Sequence, residues 1–159
     1  MLTVPRRLLL LLALMFWQGG FMFYGGVVVP VGAAVLGSDT EQGFITRAVT
    51  NYLNVAGAAA LAVWAWDLAA GPRAGRRLRW AVWGFLALTL GLLVFVHLRM
   101  DGLLDVDAAR VLDRKAFRAS HQWYLGTSSV QWAAAIGLAW ATLRAWRAAD
   151  TGRPADAPN

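Results

Sequence analysis

Two histidines, a row of hydroxyls and amides, and a few charges set into apolar sequence are the residues of this 159-residue chain with chemical capacity. His121, Tyr124, Ser128 and Gln131 recur at i, i+3, i+7 and i+10, which is one stripe of a 3.6-residue helix, with Thr127 at its edge. Arg47, Asn51 and Asn54 share a second face that continues as Ala58, Ala62 and Ala65, and Gln18, Gly25 and Gly32 align on a third. Polar side chains in hydrocarbon need partners, so these stripes are expected to face one another. They predict a polar pocket lined by His121, Tyr124, Ser128, Gln131, Arg47, Asn51 and Asn54. The plainer role for such residues is hydrogen-bond glue between helices, worth ~0.6–2 kcal/mol each.

His97 ends one apolar block and His121 begins the next, at similar depth. Two imidazoles at one level are what bis-histidine haem or a metal site needs, so both are candidate cofactor ligands. No metal-binding spacing surrounds them. His97 shares its face with Leu86, Leu90 and Leu93, opposite Gly84 and Gly91. If the glycines mark the packed side, His97 points to the membrane surface. Asp67, an acid near the end of a span, is expected to pair with the arginines that follow it, although intramembrane carboxylates also serve proton paths. There is no cysteine, which excludes disulfides, thiolate metal sites and cysteine nucleophiles. No hydrolase, kinase or dinucleotide motif is present, and no catalytic residue is assigned.

The elements that would position these groups are read from hydropathy. The chain is 58% hydrophobic and 15% charged, against about a quarter charged in soluble domains. Apolar blocks at about 8–36, 44–70, 80–98 and 120–146 are each long enough to cross a bilayer, which takes roughly 20 residues. The first continues through Phe16, Trp17 and Phe21 to Val29, too long for a signal peptide's apolar core of ~7–15 residues. The fold class is thus all-α, an integral membrane bundle of four transmembrane helices. Val106, Ala109, Leu112 and Ala116 recur at helical spacing, with Asp107 able to face Arg110, and predict a short amphipathic helix between the third and fourth spans. Residues 150–159, rich in Pro, Ala and Asp, are expected to be a disordered tail.

The net charge of +6 does not signal nucleic acid, because the arginines flank apolar blocks. Nine cations, including the cluster Arg73, Arg76, Arg77 and Arg79, fall on one side, and six cations offset by six acids fall on the other. By the positive-inside rule both termini are cytoplasmic. Trp64, Trp66, Trp80, Trp83, Trp140 and Trp146 are expected at that boundary as an interfacial belt. Fourteen arginines against the single Lys115, with abundant alanine, suggest a GC-rich bacterium and its inner membrane.

Phe117-Arg118-Ala119-Ser120-His121, followed by Thr127-Ser128-Ser129 and Gln131, resembles the start of the last span in transmembrane-protein-205-like proteins. Trp17-Gln18-Gly19-Gly20 through Pro30 resembles their first helix, and the resemblance covers about residues 8–146. Gln131 stands where an asparagine is more usual, and His97 is a further departure. The resemblance implies four spans and a histidine-headed last helix, and no established reaction. Taken together, the residues suggest a non-enzymatic membrane protein with no resident cofactor, whose partners are the bilayer and a lipid, small solute or partner membrane protein. The alternative is a haem- or metal-handling protein using His121 and possibly His97.

Overall fold

A computed structural model describes residues 3–105, 108 and 110–152. It is all-α apart from one short hairpin. Helix α1 spans Thr3–Leu36, α2 Asp39–Ala70, α3 Arg76–Asp101 and α4 Arg114–Thr151. The first three are long and apolar enough to cross a membrane. At 38 residues α4 is the longest, but Thr127, Ser128, Ser129 and Gln131 dilute its hydropathy.

Helix boundaries follow local chemistry. Gly37, at φ +65°, takes the left-handed conformation that ends α1. Ser38 then caps α2, its hydroxyl accepting from the Glu41 N–H at 3.2 Å, with Asp39 and Glu41 favourably placed in the first turn. Within α1, Met15–Gly19 and Tyr24–Val28 wind as π-helix. The second precedes Pro30, which has no N–H to offer the carbonyl one turn back. These two segments shift the phase of α1, so Gly32 abuts the Gln42 side chain while a side chain at Gly25 would meet nothing.

The expected amphipathic helix does not form among the described residues of the α3–α4 connection. Leu104–Asp105 pairs antiparallel with Arg110–Val111, and the Leu112 N–H donates to the Leu103 carbonyl. Aspartates decide this. Asp105 accepts from the Ala108 N–H and the Arg110 Nε, which closes a turn, and Asp113 caps α4 by accepting from Lys115 and Ala116. Leu112 is therefore loop, Ala116 belongs to α4, and Arg110 pairs with Asp105. Val106, Asp107 and Ala109 lie outside the described residues. At the other terminus α4 continues through Asp150 and Thr151, two residues into the expected tail, and residues 153–159 lie outside the description.

Successive helices pack on one another. The core joins Leu10 and Trp17 of α1, Ala60, Leu61, Trp64 and Leu68 of α2, Leu86 and Leu90 of α3, and Ala135, Leu138 and Trp146 of α4. Trp17 lies against bare backbone, because a Cβ at Gly57 would come within 2.8 Å of the indole Nε1. Two of the six tryptophans expected in an interfacial belt are instead core residues. Trp64 is fully buried and donates to Thr142 Oγ1, and Trp146 donates to Asp67. Interior acceptors satisfy both N–H groups, so neither needs the surface. Trp66 and Trp140 stay on the perimeter.

Candidate functional site

Two polar assemblies lie at opposite ends of the bundle. The hairpin end comprises the starts of α2 and α4 and the end of α3. The terminal end holds Arg6, Arg7 and Asp150.

At the hairpin end the α4 stripe divides. Gln131 is buried, and its amide donates to the Leu86 carbonyl (3.3 Å) and Thr89 Oγ1 (3.1 Å) on α3. This is interhelical glue. Ser128 is 4% exposed, and its hydroxyl interacts with the Tyr124 hydroxyl and with no other side chain. Tyr124 is half-buried beside it, whereas His121 is exposed and stacks parallel on Phe117, ring centroids 6.3 Å apart.

The α2 face divides too. At about 100° per residue, Asn54 lies roughly 20° to one side of Arg47 and Asn51 roughly 40° to the other. The interior is on the Asn54 side. Asn54 turns inward, Asn51 is exposed, and Arg47 makes a paired contact with Asp101 of α3, at 2.7 and 3.3 Å. The structure thus gathers Asn54, Tyr124, Ser128 and Gln131 around one cavity, with Gln18, Trp17 and Phe21 of α1, Leu53, Leu93 and Trp132. His121, Asn51 and Arg47 do not line it.

The cavity holds about 20 Å³, enough for one water. Gln18 Oε1, which has no partner within the protein, and the Ser128 hydroxyl supply the polar contacts a water requires.

His97 is the clearest reversal. The Leu86, Leu90 and Leu93 face is the packed one, while Gly91 is exposed and neither Gly84 nor Gly91 has a neighbour where a side chain would stand. The leucines fill the interior, so His97 is buried with them, its Nε2 3.8 Å from Asp101 Oδ2 and without a hydrogen bond. A haem slot needs both rings over one planar space, and the water-sized cavity is lined by neither. Among the described residues, no three His, Asp or Glu side chains gather closely enough to hold a metal ion.

The terminal end carries a buried charge cluster. Asp67 of α2 is wholly inaccessible. It accepts from Arg6 Nε of α1 at 2.9 Å and from Trp146 Nε1 of α4 at 3.2 and 3.3 Å, and lies 4.0 Å from Arg79 Nη1 of α3. Arg6 also donates to the Ala70 carbonyl and Arg79 to the Pro72 carbonyl. Outside this knot, Arg7 forms a two-pronged pair with Asp150 at 2.7 and 2.9 Å and covers the Trp146 ring. All four helices are tied here.

Pairing of Asp67 with the arginine loop is met in Arg79, but the nearer partner, Arg6, escaped the sequence reading. Its signal is arithmetic. Residue 6 lies 31 positions before the Gly37 turn and residue 67 lies 30 after it, so antiparallel helices bring them to one level.

No protein-family model, curated protein or solved structure matches this chain.

Proposed function

We propose that this chain is a four-span, non-enzymatic component of a bacterial inner membrane, with both termini cytoplasmic, that receives a small polar group from the outer side. The occupant is a small solute, or the polar end of a lipid or of a partner protein. The observation that carries this reading is the unpartnered Gln18 Oε1 in a cavity where all four helices meet, with the Ser128 and Tyr124 hydroxyls on its wall. Buried polar atoms without partners are rare and costly, and they concentrate where something binds. The resting cavity suits water, so a larger occupant requires the helices to part at the hairpin end. The resemblance of the last helix to transmembrane-protein-205-like proteins agrees with four spans and adds no reaction.

The chain has no cysteine, which makes single-cysteine labelling clean. Ser128→Cys, in intact spheroplasts treated with a membrane-impermeant maleimide, is expected to label from outside, more slowly than Trp123→Cys on the exposed surface. A Ser128→Cys variant that stays inert while the Trp123→Cys variant reacts would overturn the proposed site. Labelling of the Trp123→Cys variant only after the inner face is opened would overturn the orientation.

A further inference from the structure

We infer that the cavity beside Gln18 binds a primary ammonium group, whose N–H donors meet the Gln18 amide oxygen. This deepens the reading above, on which it rests. Polarity narrows the occupant first. Gln18 Oε1 is buried and accepts from nothing in the protein, so the partner it lacks is a donor. The Ser128 and Tyr124 hydroxyl oxygens add acceptors on the same wall. Among the described residues, no Lys, Arg, His, Asp or Glu lines the cavity. An anion therefore finds no counter-charge there, and a cation meets no repelling one.

The rest of the wall is aromatic. Trp17, Phe21, Tyr124 and Trp132 are four of the ten residues that line the cavity. Ring quadrupoles attract ammonium cations, tryptophan most strongly. A hard metal cation such as calcium instead draws on a shell of roughly six to eight oxygens, and rings occupy much of that shell here. Size points the same way. The cavity of about 20 Å³ holds one water, and an ammonium ion is close to water in size. A trimethylammonium head is much larger and has no N–H to give Gln18. Trp17 and Gln18 both belong to Met15–Gly19, the first π segment of α1, and such turns recur at functional sites. The free ion fits the cavity as it stands, whereas the same group on an ethanolamine lipid head requires the helices to part.

The full chain, in detergent, is titrated by calorimetry with ammonium, potassium and tetramethylammonium chlorides at constant ionic strength. Ammonium is expected to bind about tenfold more tightly than either of the others, the effect of one charge-assisted hydrogen bond. Gln18→Leu should abolish that preference, and Ser128→Ala, a smaller change, should weaken ammonium binding about threefold. Gln122→Leu, exposed on α4 outside the cavity, should leave it intact. Native mass spectrometry then separates the sources. A preference for phosphatidylethanolamine over phosphatidylcholine of identical chains, displaced by ammonium, assigns the group to a lipid head. Ammonium binding with equal retention of the two lipids assigns it to the free ion. Ammonium binding no tighter than potassium or tetramethylammonium, a preference that survives Gln18→Leu, or a lipid preference that ammonium leaves unchanged would overturn the assignment. Maleimide access to Ser128→Cys is scored separately. If that variant labels and ammonium shows no preference, the occupant is wrong and the pocket stands.

Discussion

Removing the Asp67 carboxylate is the sharpest test of how the terminal end is held. Asp67→Asn keeps size and shape but leaves the Arg6 and Arg79 guanidiniums without a counter-charge in a site with no solvent access. Stripping one partner from a buried pair costs about 3–5 kcal/mol, mostly because the remaining charge is stranded. For a chain of this length that converts to a fall of roughly 6–20 °C in melting midpoint. The assay is thermal unfolding of the detergent-solubilised chain, followed by far-ultraviolet circular dichroism. Adding Arg6→Met to Asp67→Asn should recover part of the loss, since it removes one of the stranded cations. Arg7→Gln is the contrast: its partner Asp150 is about half exposed, so only about 0–1 kcal/mol is at stake. A shift under about 2 °C for Asp67→Asn, or one equal to that of Arg7→Gln, would refute the reasoning and mean that water reaches the cluster.

Other consequences follow from single contacts. Gln131→Leu removes two donors to α3 and strands the Thr89 hydroxyl only weakly, because that hydroxyl also donates within α3. A loss of about 0.6–2 kcal/mol in chemical denaturation is expected, and no loss would remove Gln131 from the packing. Gly57→Leu forces a side chain into the Trp17 indole and should cost about 1–3 kcal/mol, with a measurable change in tryptophan fluorescence. Arg47→Asp and Asp101→Arg should each loosen the α2–α3 contact, while the double exchange should restore stability toward that of the parent. Additive losses in the exchanged pair would show that the contact does not couple the two helices.

The helices themselves were legible because apolar blocks of this length leave few alternatives, and each expected block lies inside an observed helix. What periodicity could not supply is phase. On α3 the glycines looked like the packed side, but in a core filled by Leu86, Leu90 and Leu93 volume governs burial, and His97 follows the leucines inward. On α2 the polar stripe is real, yet an arc about 60° wide straddles the edge of the interface, so Asn54 is inside and Asn51 is not. On α1 the π segments break the fixed period on which any stripe argument rests. The hairpin was missed because the Asp105 and Asp113 side chains compete locally with helix formation, and a hydrophobic pattern does not register that competition.

The two ends of the bundle are joined in different ways, and the difference bears on access to the cavity. At the hairpin end the polar links run between successive helices: Tyr24 with Thr46 and Gln42, Arg47 with Asp101, Gln131 with Thr89. Among the described residues, the hydrogen bonds and ion pairs joining α1 to α4 occur at the terminal end, where Arg7 meets Asp150. Parting α1 from α4 at the hairpin end therefore breaks no such bond, whereas parting them at the terminal end breaks a two-pronged ion pair. Helix α1 is also the one whose regular winding is interrupted twice, once beside Gln18 and once just before Pro30. A helix held by ion pairs at one end and irregularly wound along its length is less constrained at the other. Parting the helices in that way would widen the space beside Ser128 and leave the Asp67 cluster closed, so a cavity sized for one water would admit a larger polar group through the hairpin end alone.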